Sequence, residues 1–131
     1  MSSALHLNPP SLTKPTGYTH VVQAPVGRTI YMSGQLALDQ DGKIVGTGDF
    51  RAQTIRVFEN IKAALEMAGA DLGHLVKITT YLTDMSNAAV LREIRVGYLG
   101  AKPPAGTLIA VSSLIYKELL IEIDAIAVVP E

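Results

Sequence analysis

The run Leu119–Val129 is the most apolar stretch of the chain, and it alternates with the two-residue period of a β-strand. Both faces of this strand carry aliphatic side chains, although the second face also carries two acids. The first face holds Ile121, Ile123, Ala125, Ala127 and Val129, and the second holds Glu122, Asp124, Ile126 and Val128. A strand that is apolar on both faces has to be covered on both, which restricts the folds that this chain can adopt.

Two helices are predicted upstream of this strand. Asp49 is a suitable N-cap for a helix that runs to about Met67 and stops at Gly69. Its apolar residues recur at steps of three or four and share one face: Ile55, Phe58, Ile61, Leu65 and Ala68. A second helix is predicted over Ser86–Leu99. The inward face of that helix holds Leu91, Ile94 and Tyr98.

The remaining strands are short runs rich in β-branched and aromatic residues. They cover Tyr18–Gln23, Arg28–Ser33, Leu75–Leu82 and Thr107–Val111. The first two are predicted to form a hairpin or to lie side by side. The resulting order is β-β-α-β-α-β-β, which predicts an α+β fold with a single domain over residues 18–131. Residues 1–17, with three prolines among serines and threonines, are predicted as an extended N-terminal segment.

The uncovered side of the predicted sheet indicates how the chain assembles. Helices of this length cover only one face of a sheet. The other face keeps its aliphatic side chains without a partner inside the chain, and large exposed apolar surfaces usually mark interfaces. A closed monomeric barrel would need more strands than the sequence offers. The pattern therefore predicts a homo-oligomer.

Composition excludes several classes of function. The net charge is −1 and aromatic residues make up only 5% of the chain, which argues against binding to nucleic acid or to an anionic membrane. The chain has no cysteine, and His6, His20 and His74 lack metal-ligand spacing, so neither a metal nor a cofactor is predicted. No segment is typical of a membrane span or a signal peptide, so we expect a soluble cytoplasmic protein.

Glu122 is the strongest single indication of chemistry. A carboxylate in the middle of an apolar strand is costly to bury without a partner. Asp124 lies on the same face, about 6.5–7 Å away at the usual rise of a strand. The two acids can form the wet face of an edge strand, or Glu122 can lie in a cleft where it orients a water molecule or accepts a proton. The residues alone leave both interpretations open.

Short motifs spread over nearly the whole chain resemble the RidA/YjgF/UK114 family of reactive-intermediate (enamine/imine) deaminases. Each motif is weak alone, but their order and spacing together are specific. They are Tyr31–Gln35, Gln53–Thr54, Asn60–Ile61, Ala68–Gly69, Val76–Lys77, Tyr81–Met85, Pro103–Ala105 and Ile121–Ala127. The resemblance implies a chorismate-mutase-like α+β fold in a homotrimer, whose sheets pack into a central barrel with the helices outside and small-molecule clefts between subunits.

The resemblance also implies a set of site residues. In the family, an arginine that follows Pro-Ala binds the substrate carboxylate, and a glutamate of the last strand positions the attacking water. That glutamate corresponds to Glu122. A tyrosine, a serine, a glycine and backbone N–H groups complete the family's cleft. The corresponding residues in this chain are Tyr18, Ser33, Gly34, Thr107 and Leu108.

The chain departs from the family pattern at the arginine, where it has Gly106. A guanidinium binds a carboxylate through two charge-assisted hydrogen bonds. Its loss should weaken ligand binding by roughly 1.5–3 kcal/mol or more. Arg92 stands at a helix position where many relatives carry asparagine close to the cleft. We hypothesise that Arg92 reaches into the site and supplies a relocated positive charge, the alternative being an ordinary solvent-facing arginine.

These features predict a RidA-like protein from a branch without the signature arginine. The first interpretation is a hydrolytic deaminase of imines or enamines with an altered substrate range, in which Glu122 activates water and the amides of Thr107 and Leu108 bind developing negative charge. Tyr18 and Ser33 would orient the ligand. A second interpretation is a ligand-binding or regulatory trimer without catalysis. A third, an endoribonuclease role attached to some relatives, is disfavoured by the net charge and the few aromatic residues.

Overall fold

Residues 3–131, which a computed structural model describes, form six β-strands and two α-helices. The strands are β1 (Leu5–Leu7), β2 (Val21–Gln23), β3 (Gly27–Leu36), β4 (Leu75–Leu82), β5 (Ala105–Ala110) and β6 (Ile121–Pro130). The helices are α1 (Phe50–Met67) and α2 (Ala88–Leu99), and short 3₁₀ turns precede β4 and α2. The predicted α+β class is confirmed, with β1 as an additional strand that the sequence analysis did not predict.

Four strands form the main sheet in the order β3-β6-β4-β5, while β1 and β2 form a separate two-stranded sheet. The apolar strand β6 is central and antiparallel to both neighbours, whereas β5 runs parallel to β4 at the edge. The connection from β4 to β5 passes through α2, as a parallel pair requires. α1 contacts β3, β6 and α2, so the two helices lie together on one face of the sheet.

The core lies between these helices and the first face of β6, which is buried as predicted from Ile121 to Ala127. Phe58, Ile61 and Leu65 of α1 are fully buried against it. The prediction for Ile55 is wrong, since this side chain is 41% exposed. The buried stripe of α1 includes Gln53, Thr54 and Val57 instead, which places Ile55 on its flank. A purely apolar pattern misses such a stripe because two of its members are polar.

The predicted pairing of the first two strands is wrong. β2 pairs antiparallel with β1, and Leu5 lies opposite Gln23. Residues Tyr18 to His20 fall outside the strand, although Thr19 forms an isolated bridge with Ala105. β3 pairs with β6 over a much longer ladder. The linker between β2 and β3 therefore carries the chain from one sheet to the other. β3 pairs with the distant strand β6 and not with β2, its neighbour in sequence.

β3 continues to Leu36, beyond the strand end predicted at Ser33. Its register against β6 shifts between Met32, which faces Ala125, and Gln35, which faces Ile123. Two residues of β3 thus oppose one residue of β6, which is the geometry of a β-bulge. The two residues that together oppose Asp124 are Ser33 and Gly34. The bulge falls on two of the residues predicted for a functional site.

The helices leave the second face of the main sheet open. Tyr31 of β3 is 80% exposed there, and Ile126 of β6, its register partner, is half-buried. Glu122 and Asp124 lie on this same face of β6. This open, partly apolar face is the surface on which the predicted oligomer depends. Within the described part of the chain, no helix has both the length and the apolar character needed to cross a membrane.

Candidate functional site

A cleft of about 200 Å³ opens at the β5 edge of the main sheet, between that edge, α2 and the segment from Thr16 to Tyr18. Five of the residues predicted for a site line this cleft: Tyr18, Arg92, Gly106, Thr107 and Leu108. Ser33, Gly34 and Glu122 are not among its lining residues. The structure therefore divides the predicted residues into two groups. We call the first the cationic cleft and the second, formed by Ser33, Gly34, Glu122 and Asp124, the carboxylate half-site.

Thr19 fixes the wall of the cationic cleft that carries Tyr18. The Thr19 side chain is buried, and its hydroxyl donates a hydrogen bond to the carbonyl of Pro103. Its backbone N–H donates to the carbonyl of Pro104 over 3.2 Å. These bonds fasten the N-terminal segment to the start of β5. Tyr18 consequently lies beside Gly106, although the two residues are far apart in sequence.

Gly106 leaves room in the cationic cleft rather than satisfying a backbone requirement. A Cβ placed on this residue would lie 3.8 Å from Cγ1 of Ile78 and 3.9 Å from Cβ of Tyr18. Both are ordinary van der Waals distances. The position therefore accepts a side chain, and its absence widens the cleft next to Tyr18 and Ile78.

Two guanidinium groups, those of Arg92 and Arg95, line the cationic cleft. The hypothesis for Arg92 required a position near both Gly106 and Glu122. Arg92 and Gly106 line the same cleft, but Glu122 does not line it. Arg95 is only 9% exposed, and its Nη2 donates to the carbonyl of Thr16 over 3.0 Å. Burial and, to a lesser extent, the charge of Arg92 lower the pKa of Arg95.

The sequence analysis missed Arg95. This residue follows Leu91 by four positions and precedes Tyr98 by three, so it falls within the inward stripe predicted for α2. A cation at such a position is uncommon, because a buried charge needs a partner. That interruption of the apolar stripe was the signal that could have found it.

Glu122 is half-buried in the carboxylate half-site and lies against Gly34 of the bulge. A Cβ on Gly34 would collide with Oε2 of Glu122, so the close approach of the carboxylate to the backbone requires glycine. Burial, and secondly the charge of Asp124, raise the pKa of Glu122. Asp124 accepts a hydrogen bond from the Tyr81 hydroxyl at 2.9 Å, and this bond is the main reason that the pKa of Tyr81 is raised. A carboxylate with a raised pKa is a stronger general base than an ordinary one.

Two polar side chains of α1, the buried Gln53 and the half-buried Asn60, hold the chain on both sides of the carboxylate half-site. Gln53 is 0% exposed; its Nε2 donates to the carbonyl of Glu118 at 2.9 Å, and its Oε1 accepts from the N–H of Leu120 at 2.8 Å. Asn60 Nδ2 donates to the carbonyl of Leu36 at 2.9 Å. Gln53 thus fixes the start of β6, and Asn60 fixes the end of β3. Both residues belong to the motifs behind the family resemblance, and both act as structural anchors here.

The cationic cleft and the carboxylate half-site lie on opposite faces of the main sheet. Gly106 pairs with Ile78, which pairs with Ala125, and these two partners are buried towards the helices. Glu122 pairs with Tyr81, which follows Ile78 by three residues on the same strand. Side chains alternate along a strand, so Glu122 points to the opposite, open face. The sheet therefore separates a ligand in the cleft from the Glu122 of the same copy.

His6 pairs with Val22 and so lies near His20, whereas His74 lies in the 3₁₀ turn before β4. Nδ1 of His74 accepts a hydrogen bond from the N–H of Asp71 at 3.0 Å and caps a 3₁₀ turn. The ring of His20 meets that of Tyr18 edge-on, with 5.2 Å between centroids. Across residues 3–131, no three histidine, aspartate or glutamate side chains are grouped so that they could hold a metal ion.

Comparison with known proteins identifies the family. A family model described as Endoribonuclease L-PSP matches residues 11–129. A RutC family protein of Pyrococcus abyssi is 43% identical over 115 residues, which cover 87% of this chain and 88% of that protein. A 2-iminobutanoate/2-iminopropanoate deaminase of Dermatophagoides farinae is 28% identical over 130 residues, 98% of this chain and 99% of that protein.

A solved structure shows the same architecture. The crystal structure of YyfB from Yersinia pestis, a protein of unknown function in the conserved Rid family, is similar with a TM-score of 0.90 and 36% identity. The similarity covers 98% of this chain and 100% of that one. The chain therefore belongs to the RidA/YjgF family and has its α+β fold.

Proposed function

We propose that the protein is a hydrolytic deaminase of reactive imines or enamines, a hydrolase acting on C=N bonds, whose substrate range is altered by Gly106. The observation that supports this proposal is that the chain has both a cationic cleft and, on the other face of its sheet, a carboxylate whose pKa is raised. The cleft suits an acidic ligand, and the carboxylate suits the role of a general base. The deaminase among the relatives, at 28% identity, supports the reaction class.

In the proposed reaction, water adds to the carbon of the C=N bond. Glu122 accepts a proton from the attacking water while the C–O bond forms, and the imine nitrogen takes up a proton. The C–N bond of the resulting carbinolamine then breaks, which releases ammonia and leaves a carbonyl compound. The backbone N–H groups of Thr107 and Leu108 bind negative charge that develops, while Tyr18 and Ser33 orient the ligand.

A complete site needs a second copy of the chain, because the sheet separates the cleft of one copy from its own Glu122. We place the ligand between the cationic cleft of one subunit and Glu122 of the partner subunit, in a homotrimer. Packing the open sheet faces together would bury exposed side chains such as Tyr31, which stabilises the assembly by about 25 cal/mol per Å² of apolar area. Analytical ultracentrifugation tests the assembly, and a well-folded monomer at micromolar concentration would exclude this arrangement.

Turnover of imines generated in situ by an amino-acid oxidase tests the reaction. The amino-acid oxidase supplies carboxylated imines, an amine oxidase supplies imines without a carboxylate, and ammonia release is compared for the wild type, Glu122→Gln and Glu66→Gln. Glu66 is an exposed residue of α1 and provides a matched control. We expect Glu122→Gln to lose activity by about 100-fold or more, as for removal of a general base, while Glu66→Gln remains active. Equal inertness of the wild type and Glu122→Gln on every imine would overturn the proposal.

The replacement of the family's arginine by Gly106 favours one alternative, a trimer that binds a ligand and does not catalyse. The same assay separates the two. A protein that binds a carbonyl product with measurable affinity but accelerates no imine hydrolysis belongs to this second class. Incubation with RNA at low salt tests the activity in the family model's description, and intact RNA would exclude it for this chain.

A further inference from the structure

We propose that Arg92 and Arg95 together bind an acidic group of the ligand, a carboxylate or a phosphate, inside the cationic cleft. This site supplies from α2 the positive charge that position 106 lacks. The inference rests on the proposed function for the reaction that follows binding, but the binding itself is measured separately. The expected substrates are small acids with an apolar side chain.

The first argument is charge balance. The residues that line the cleft include two arginines and no acid. Within residues 3–131, neither Arg92 nor Arg95 forms an ion pair with a carboxylate. Arg51, at the surface of α1, shows the contrast, because its Nη2 lies 2.7 Å from Oε2 of Glu93. The cleft thus concentrates positive charge that no described side chain neutralises.

The second argument is burial. A charged group that is taken out of water needs a partner of opposite charge, or it destabilises the fold. Arg95 is 91% buried, yet its Nη2 donates only to the neutral carbonyl of Thr16, and its buried Nε has no hydrogen-bond partner among the described residues. The nearby charge of Arg92 adds repulsion and further lowers the pKa of Arg95. An acidic group between the two guanidinium groups relieves both costs.

The third argument is the shape of the space. Beside the arginines, the walls of the cleft are formed by Ile78, Pro104 and Leu108. Gly106 adds room on the side of Ile78 and Tyr18. A ligand with one acidic end and an aliphatic or aromatic side chain complements these walls. A volume of about 200 Å³ limits such a ligand to a small molecule.

Equilibrium binding tests the proposal without turnover. Isothermal titration measures the Kd of 2-oxobutanoate, of its neutral amide and of inorganic phosphate for the wild type, Arg92→Gln, Arg95→Lys and Arg51→Gln. We expect one of the two anions to bind, and Arg92→Gln to weaken its binding by about 10- to 100-fold. If 2-oxobutanoate is the anion that binds, its neutral amide should bind at least tenfold more weakly. Arg51→Gln, the matched control outside the cleft, should bind like the wild type.

Nuclear magnetic resonance spectra show where the anion binds. In ¹H–¹⁵N spectra, the anion should shift the signals of Gly106 and of the Arg95 Nε–H group in the wild type. Arg95→Lys keeps the charge and loses the planar donor pair, so it should also bind more weakly. If Arg95→Lys does not fold, Arg92→Gln decides, because Arg92 is exposed and its replacement leaves the core unchanged. The anion that binds more tightly distinguishes a carboxylate ligand from a phosphate ligand.

Three results would overturn the inference: equal Kd values for Arg92→Gln and Arg51→Gln, an amide that binds as well as the acid, or no binding of either anion. Its failure is distinguishable from that of the deaminase proposal. Arginine-dependent binding without turnover rejects only the deaminase reaction. Turnover of imines with a KM that Arg92→Gln leaves unchanged rejects only the arginine site.

Discussion

The two glycines of the candidate site, Gly34 and Gly106, stand in opposite packing environments. At Gly34 an added Cβ would collide with the Glu122 carboxylate, so a side chain there would displace that carboxylate. At Gly106 the nearest atoms would lie 3.8 Å from an added Cβ, and the position is free to change. The position of the Glu122 carboxylate therefore depends on glycine at residue 34, whereas the cationic cleft tolerates a change at residue 106.

The anchor of the carboxylate half-site gives the largest expected effect. Gln53→Ala removes the three hydrogen bonds that this side chain forms with the carbonyls of Gly46 and Glu118 and with the N–H of Leu120. Because Gln53 is fully buried, loss of the three bonds should lower the free energy of unfolding by about 3 kcal/mol. Urea denaturation measures this. Gln23→Ala, at an exposed position of β2, is the matched control and should change stability by less than about 0.5 kcal/mol.

A smaller effect on stability, with a large effect on activity, is expected for Gly34→Ala. The added methyl group displaces the Glu122 carboxylate, and because this side chain is flexible and half-buried, the free energy of unfolding should fall by at most about 1 kcal/mol. Displacing the proposed base by about 1 Å should reduce turnover about 100-fold. The control is Gly97→Ala in α2, where a Cβ would meet nothing within 4 Å. If Gly34→Ala matches the wild type in stability and turnover, the carboxylate half-site is not fixed by this contact.

The pH dependence of the carboxylate half-site should follow the raised pKa of Glu122. Because the base acts only when ionised, the acid limb of kcat/KM should lie above the ordinary glutamate value of 4.5. Asp124→Asn removes the second cause of the shift and should move that limb to lower pH. Tyr81→Phe is the control, since it removes a hydrogen bond and keeps the Asp124 charge. A carbon-13 titration of the Glu122 carboxyl group gives the same comparison without activity.

Stability should respond to the same pKa with a defined sign. A carboxyl group whose pKa is raised in the folded state binds more protons there than in the unfolded chain, so its contribution to stability falls as pH rises through the interval above 4.5. Glu122→Gln removes this titration. The Tm of Glu122→Gln relative to the wild type should therefore increase over that interval. A difference that stays constant with pH would show that Glu122 is not desolvated in the assembled protein.

The parts of the fold that local patterns predicted are those with long, regular periods. α1 spans the predicted residues because Asp49 caps it through Ala52 and the apolar residues recur in phase. β6 shows its two faces because burial alternates along the seven residues from Ile121 to Ala127. β1 was missed because Leu5–Leu7 is too short for a period to appear. The partner of β2 was wrong because strand pairing depends on distant residues, which a local pattern does not contain.

The candidate site was predictable to a different extent in its two halves. The family resemblance supplied Glu122 and Gly34, but their contact depends on a bulge that no local motif announces. In the cationic cleft, Arg92 was suggested by the family resemblance. Arg95 was missed because its position in the sequence belongs to the apolar face predicted for α2. A charge within such a stripe becomes informative only when the fold shows which surface the stripe approaches.

The smallest effect is expected for Gly106→Ala, which tests the cationic cleft. The new Cβ makes ordinary contacts with Ile78 and Tyr18, and alanine restricts the unfolded chain more than glycine does. The free energy of unfolding should rise by up to about 1 kcal/mol. The Kd for a small acid should change by less than tenfold, or about 1.4 kcal/mol, with larger side chains affected most because the methyl group takes up their space. If Gly106→Ala instead lowers the free energy of unfolding, the space beside Gly106 does not accept a side chain, and the two glycines do not differ in the way that the structure indicates.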